Sequence, residues 1–474
     1  MTVRIGVLGV LAAATLTACA VVPPTAHPFV PTPQAYASPH ELVSLRQRVR
    51  LDHQLRSAWW TLFGSGPLDG LIRTVVAGNQ DLRAARARLA AARAAVQAGR
   101  GALLPQVALG AQAGRQKYGV ALFGPSQFSI PPFNYYEAGP SATWTPDLFG
   151  AQRNQVARLQ ARADYELHEL EAADLTLTGE AVAVSLDMAE ALGERAAVRR
   201  IVAEDRQTLG LVQAARAIGT ATEVAVLSAQ AQLLTDSARL APLARRVAAD
   251  SHALSVLAGR LPTDWTPPRL GLDEFRVPSD LPLQVPSQLL RNRPDILAAQ
   301  ANLKAAAAAV GVATAHLYPT VTLSADMLAE ALTPAALFGP GAGAYSLAAG
   351  LAQPIFSGGT LSAEKREAQA AYRAAAAQYR QTVLNAFGQV ATALTSLAHD
   401  DAAAAAQKNA YRVARRTARL AVAAYRLGSI GLLRVQDAQR AAAAARLALL
   451  RAEARRARDA ARLFVAAGGA KLGS

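Results

Sequence analysis

Between Asp81 and Ala111 the apolar residues first return every seventh position and then every second. Leu82, Leu89, Val96 and Leu103, with Ala85, Ala92 and Gly99 between them, mark one stripe of a helix packed closely against neighbours. Pro105 cannot continue a helix. Beyond it Val107, Leu109 and Ala111 alternate with other residues, which predicts a strand. The same switch is written again at a constant offset of 214, from Asp295 to Ala325, with Ile296, Leu303, Val310 and Leu317 before Pro319 and Val321, Leu323 and Ala325 after it. Of the 31 positions compared, 15 are identical, and seven of those are not the abundant Ala. The chain is therefore a duplication, and its unit is a long helix that passes directly into a β-strand through Pro105 or Pro319.

The rest of the pattern follows the same order twice. Trp59, Trp60 and Phe63 precede Gly64 to Pro67, where a helix starts with Pro67 in its first turn and runs to Leu104. A β region spans about Gln106 to Phe149 and holds eight of the chain's 26 aromatic residues: Tyr118, Phe123, Phe128, Phe133, Tyr135, Tyr136, Trp144 and Phe149. Aromatics beside strands suit the interface girdles of a membrane barrel; the core of a small soluble sheet is the alternative. From Gly150 to Ile218 nothing breaks the helical pattern, and Leu177, Ala181, Val184, Met188 and Ala191 keep a four-three spacing. Such a helix, roughly 100 Å long, needs partners along its whole length. Gly219 ends it, and a second helix runs from about Thr222 to Leu257. After a linker with six prolines between Pro262 and Pro286, the second copy is expected as helix 286–317, strands near 320–326 and 345–356, helix 358–427 and helix 432–466. The turns correspond as well, Ile218-Gly219-Thr220 matching Leu427-Gly428-Ser429.

Composition and the N-terminus add a compartment. Arg4 precedes an apolar run about the length of a signal h-region and too short to span a bilayer, and Cys19, the only cysteine, follows Leu16-Thr17-Ala18. This spacing resembles a bacterial lipobox, in which the Cys19 thiol carries diacylglycerol and the mature chain starts there; a buried thiol is the alternative. Ala20 after the cysteine suits sorting to the outer membrane by analogy with enteric lipoproteins. The expected domains are a signal peptide (1–18), a lipid-anchored extended segment (19–58), a first repeat (59–260), a Pro-rich linker (261–285), a second repeat (286–466) and a short tail (467–474). The net charge of +15 raises the question of nucleic acid, but the arginines lie along helices with no aromatic interleaving and no groove-reading motif, which reads as solvated faces. No metal site or cofactor is expected, since the seven His lack ligand spacing, no Gly-rich phosphate loop follows a strand, and no nucleophile elbow occurs. Nor does any apolar run after the signal reach the roughly 18 residues of a spanning helix. A membrane would be crossed by strands.

Each chain offers four strands, two per repeat. Four cannot close a barrel, and an open edge in lipid leaves backbone groups unpaired at several kcal/mol each. Twelve strands from three copies would close, with the long helices forming a hollow tube. The competing class is a structural coiled-coil lipoprotein linking outer membrane and cell wall without a pore.

The segments WWTLFGSGPLDGLI (Trp59 to Ile72), ALLPQV, WTPDLFG (Trp144 to Gly150), LLRNRPDILAAQANL (Leu289 to Leu303), HLYPTVTLSA, QPIFSGG (Gln353 to Gly359), QYRQTVLNAF (Gln378 to Phe387) and GSIGLLRVQDAQR (Gly428 to Arg440), behind a lipobox, resemble the NodT/OprM branch of the TolC outer-membrane efflux family. The resemblance covers nearly the whole mature chain. It implies a homotrimer: a twelve-stranded transmembrane β-barrel on a twelve-helix α-barrel, acting as exit duct for a periplasmic adaptor and an inner-membrane transporter, usually of the RND type. It also implies acidic residues narrowing the closed periplasmic end just after the tip turns. Asp437 matches one such position, with an ordinary solvated helix residue as the alternative; three residues earlier, where some members carry Asp, this chain has Arg434, and the matching site of the first repeat is Ala225. Tyr425 and Arg426 are expected to help tie the tip shut, and the turns at Gly219, Thr220, Gly428 and Ser429 to meet the adaptor.

Overall fold

The computed structural model describes residues 35–38, 40–41, 45, 47–50, 58–118, 131–283 and 286–468. In chain order the first half forms β1 (Arg48–Arg50), a 3₁₀ turn (Trp59–Phe63), α1 (Gly66–Gly78), α2 (Gln80–Gly101), β2 (Gln106–Gln116), β3 (Phe133–Trp144), α3 (Ala151–Ala217), α4 (Glu223–Ala238) and α5 (Leu240–Leu257). The second half forms β4 (Asp280–Pro282), α6 (Pro286–Asn292), α7 (Pro294–Ala315), β5 (Thr320–Ala331), β6 (Gly343–Ala352), α8 (Thr360–Arg426) and α9 (Leu432–Ala466). The chain divides into two compact units. One comprises Arg88–Glu166 and Ala299–Tyr379 and contains a four-stranded antiparallel sheet in the order β2-β3-β5-β6. The other comprises the described residues up to Ala87, Leu167–Ala298 and those from Arg380 onward.

In the helical unit the heptad and four-three stripes become the core. Leu82, Ile296, Leu177, Ala181, Met188, Ala191, Val383, Val390, Leu394 and Leu397 are all buried. The Trp-Trp opening folds in as well: Trp59 and Phe63 pack on Phe464, and Trp59 Nε1 donates to Thr178 Oγ1 at 3.3 Å. Ser65 caps α1 by accepting from Leu68 N at 3.2 Å, with Pro67 in the first turn, where its missing N–H costs nothing. Residues 48–50 and 280–282 pair as a short parallel ladder.

Three expected helices are interrupted. The run from Pro67 to Leu104 breaks at Asn79 and the run from 286 to 317 at Arg293, positions that are themselves 214 apart. Each broken position holds the end of the last helix of its repeat. Asn79 Nδ2 donates to Leu257 O at 3.0 Å while its Oδ1 accepts from Leu82 N at 3.0 Å. Arg293 Nη1 donates to Ala466 O at 2.7 Å, and its Nε to Asp295 Oδ1 at 2.8 Å. Pro294 removes an N–H and begins α7 as a new helix. The helix expected over 222–257 breaks at Arg239, because Pro242 cannot donate to the carbonyl four residues back. The expectation of no further membrane-length apolar helix also needs correction. Helix α7 is long and apolar enough by length and composition, with Asp295 and Lys304 its only charges, yet Ile296, Leu303 and Val310 are buried inside the protein.

Because Arg293 is buried and its donors meet carbonyls on two other helices, Arg293→Ala is expected to destabilise the helical unit by about 3 kcal/mol. Asn79→Ala, which loses a cap, should cost about 1 kcal/mol. Thermal unfolding followed by helical circular dichroism checks the order; an Arg293→Ala melt indistinguishable from wild type would contradict it.

Candidate functional site

The sheet sorts its side chains by register. On one face stand Val107, Leu109, Ala111 and Ala113 of β2; Tyr136, Ala138, Pro140, Ala142 and Trp144 of β3; Val321, Leu323, Ala325, Met327, Ala329 and Ala331 of β5; and Tyr345, Leu347, Ala349 and Leu351 of β6. Within the strands its one charge is Arg115, at the end of β2. Its large members are open to the surroundings, with Leu109 82%, Tyr345 83% and Met327 70% exposed. The other face carries Gln106, Gln112, Gln116, Glu137, Ser141, Thr143, Ser324, Asp326, Glu330 and Ser346, and Ser346 Oγ donates to Asp326 Oδ2 at 3.0 Å. Along β5 the apolar run rises about 34 Å, or about 26 Å at a strand tilt of about 40°, which is the height of an outer-membrane apolar band. Trp144 stands near one end of it and Tyr136 at the other, while Tyr345 pairs with Met327 near its middle. Not every aromatic serves there. Tyr135 lies on the polar face, where its OH accepts from Gln112 Nε2 at 2.8 Å, Phe149 stacks on Tyr318 at 5.0 Å, and Phe123 and Phe128 lie outside the described residues.

Such a sheet has one polar wall, one wall suited to hydrocarbon, and two edges, β2 and β6, with no partner strand among the described residues. Pro105 and Pro319 sit where each helix gives way to a strand. The interior seam between β3 and β5 is tight: a Cβ at Gly139 would lie 2.1 Å from Met327 O, so only glycine fits.

At the far ends of the long helices two matching turns occur. Gly219 (φ +75°) and Gly428 (φ +71°) adopt left-handed backbone. Thr220 N and Oγ1 both donate to Ala215 O at 2.9 Å, and Ser429 N and Oγ donate to Ala424 O at 3.0 and 2.9 Å. This is a Schellman closure with a hydroxyl added, and all four residues are exposed. Among the expected tip residues, Tyr425 and Arg426 line one groove of about 540 Å³ between α3, α8 and α9, with Arg200, Arg415 and Arg419. Asp437 and Arg434 stand on exposed positions of α9 outside that lining, and Asp437 lies 3.8 Å from Arg440. Cys19 lies outside the described residues.

The structure adds a constellation that sequence reading missed. Arg440 of α9 donates from Nε to Gln232 Oε1 of α4 at 2.9 Å, and Gln232 Nε2 donates to the buried Asp236 at 2.6 Å. Beside Asp236 lies Asp205 of α3, and a side-chain hydrogen bond between the two carboxyl groups favours the protonated form of Asp205. Burial first, and the Asp236 carboxylate second, push the Asp205 carboxyl up to about 6. Related pairs recur along the unit. Burial and the neighbouring Asp187 raise Asp250, and burial and Asp459 raise Asp400; Asp250 and Asp459 are themselves 209 apart. None belongs to a motif, and only the fold brings residues such as 232 and 440 together.

Comparisons with known proteins agree along the chain. A family model described as outer membrane efflux protein matches residues 71–260 and 285–469. The pyoverdine export outer membrane protein OpmQ of Pseudomonas putida is 32% identical over 81% of both chains. The toluene efflux pump outer membrane protein TtgF of Pseudomonas putida is 28% identical over 98% of this chain and 96% of its own. Among solved structures the outer-membrane channel OprN superposes with a TM-score of 0.85 at 28% identity, covering 94% of this chain and 99% of its own. The Neisseria gonorrhoeae MtrE outer membrane channel, in its open state, gives 0.81 at 27% identity, covering 95% and 98%.

Asp205 supplies a pH test. Its folded pKa lies above the ordinary carboxylate value, so the folded state holds a proton that the unfolded chain releases between about pH 4 and about pH 6. Stability is therefore expected to fall as pH rises through that window. Asp205→Asn should flatten this slope and melt higher than wild type at pH 7.5. A variant that melts lower at pH 7.5 and keeps the slope would contradict the assignment.

Proposed function

We propose, from the premise that this chain belongs to the outer membrane efflux protein family, that three copies close a twelve-stranded β-barrel and a twelve-helix α-barrel that continues it as one tube. The chain is an outer-membrane efflux channel, a passive exit duct. The observation that carries the trimeric reading is the sheet, with its lipid-compatible face, its polar face and its two edges that have no partner strand among the described residues. An open edge in hydrocarbon leaves its N–H and C=O groups without partners, and a head-to-tail interface satisfies it when the ring closes. Cargo is taken to be drugs or other small molecules, by analogy with relatives named for pyoverdine and toluene export. A periplasmic adaptor and an inner-membrane transporter, of the RND type, are the proposed partners, meeting the turns at Gly219, Thr220, Gly428 and Ser429. The duct needs no catalytic step or cofactor, because the inner-membrane partner supplies the energy.

The remaining assignments complete this picture. Cys19 is the proposed lipid attachment site at the start of the mature chain, ahead of an extended segment reaching to residue 58. The two repeats span 59–260 and 286–466. At the tips, three copies of Asp437 form the proposed constriction, with Arg434 beside it and Tyr425 and Arg426 helping to hold the closed state. A pore-free coiled-coil lipoprotein would have no use for an apolar outward face on a strand pair written twice.

Purified protein in planar bilayers tests the duct. Stepwise conductance is expected, and a monomer that passes no current would overturn the reading. Asp437→Asn is expected to change single-channel conductance and lower cation preference, and unchanged values would reject the constriction.

A further inference from the structure

The two repeats match in shape but not in charge. From Ala402 to Ala452 the second repeat carries ten Lys and Arg against a single acid, Asp437. The matching stretch of the first repeat, Gly193 to Leu243, carries six against five. More than half of the chain's net charge of +15 therefore falls on the last turns of α8 and the first turns of α9. Farther along α9 the arginines are already paired: Arg451 with Glu194, Arg456 with Asp401, and Arg458 with Asp187 and Glu190. Nearer the tip turns they are not. Among the described residues Arg200 of α3 and Arg415, Arg419 and Arg426 of α8 form no ion pair, and all four are exposed.

These four arginines line the groove of about 540 Å³ between α3, α8 and α9. A fifth, Arg446, lies over the Tyr411 ring at 5.4 Å from its centroid. Glu204 is the only acid in the lining. The more deeply set part of the wall is apolar, with Ile201, Val422 and Leu432 half-buried and Val435 buried.

We infer that this groove is a binding site for a soluble organic anion: a carboxylate, sulfonate or phosphate carried on an apolar body. The volume is that of a small-molecule site. Guanidinium forks match the oxygens of such anions and reject cations, while the apolar wall covers the body. Charge kept only for solubility would be spread over both repeats, whereas here the first repeat balances its own and the second gathers the excess around one groove. The groove lies at the ends of the long helices away from the strands, so its occupant comes from solution and not from a bilayer. All of its lining belongs to one copy, and the inference does not rest on the trimeric reading.

The full-length protein in phosphatidylcholine nanodiscs is titrated with anilinonaphthalene sulfonate and, separately, with phenylnaphthylamine, which has the same rings without the sulfonate; the fluorescence of empty nanodiscs is subtracted. The sulfonate is expected to bind saturably and the neutral arene at least about tenfold more weakly. Arg415→Gln/Arg419→Gln is expected to weaken the sulfonate by about tenfold or more. Arg412→Gln/Arg416→Gln makes the same charge change on the same helix outside the lining and is expected to leave binding unchanged. Matching circular dichroism melts establish that both variants fold, and the comparison of the two probes needs no variant. Equal binding of the neutral arene would reveal simple partition into an apolar trough. An equal loss in both variants would reveal attraction to net charge alone. Either result, or no saturable binding, overturns the site. Saturable binding by protein that conducts no current would leave the site standing and overturn the duct.

Discussion

A strand edge cannot stand bare in hydrocarbon. Each unpaired backbone group costs several kcal/mol there, and β2 and β6 bring edges of 11 and 10 residues. Edge closure therefore bears on the hydrophobicity of the face carrying Leu109, Met327 and Leu347, the polar face at Gln112, Ser324 and Asp326, and the number of copies proposed. In water the same sheet would expose an apolar wall with nothing to cover it. The sheet becomes sensible only with lipid on one side, solvent on the other and a neighbour at each edge.

Duplication makes the closure cheap to encode. One helix-strand-strand-helix plan, written twice, supplies two hairpins whose registers agree. The offset falls from 214 to 209 between the strands of a hairpin because the connection between β2 and β3 is longer than that between β5 and β6. Beyond the sheet the smaller offset persists: α3 and α8 each have 67 residues and end in the same glycine turn. The helical unit is held differently. Arginines of α9 reach buried carboxylates on the long helices, Arg451 to Glu194 at 2.6 Å and Arg456 to Asp401 at 2.5 Å. These bonds suit a bundle in which helix positions matter more than raw stability.

Much of this was legible in the sequence, and the failures have physical causes. Heptads at Leu82 and Ile296, alternation after Pro105 and Pro319, and the turn glycines reported elements through local geometry, and the structure keeps them. The breaks at Asn79 and Arg293 were not legible, because each is made by a carbonyl at the end of a helix far along the chain. Pro294 and Pro242 mark their breaks by residue type, although the apolar periodicity runs on through both. The alternation of β2 and β5 named the apolar face, but assigning Glu137, Asp326 and Glu330 to the opposite, polar face needed the register. The Asp205–Asp236 pair left no local trace at all. Its members are ordinary acids on separate helices until packing removes their water.

Backbone hydrogen exchange of the protein reconstituted in lipid nanodiscs, resolved strand by strand, tests edge closure most directly. If copies pair edge to edge, amides of β2 and β6 exchange as slowly as those of the interior strands β3 and β5. Rapid exchange confined to β2 and β6 would mean that the edges stay open in lipid, and the closed duct would have to be abandoned.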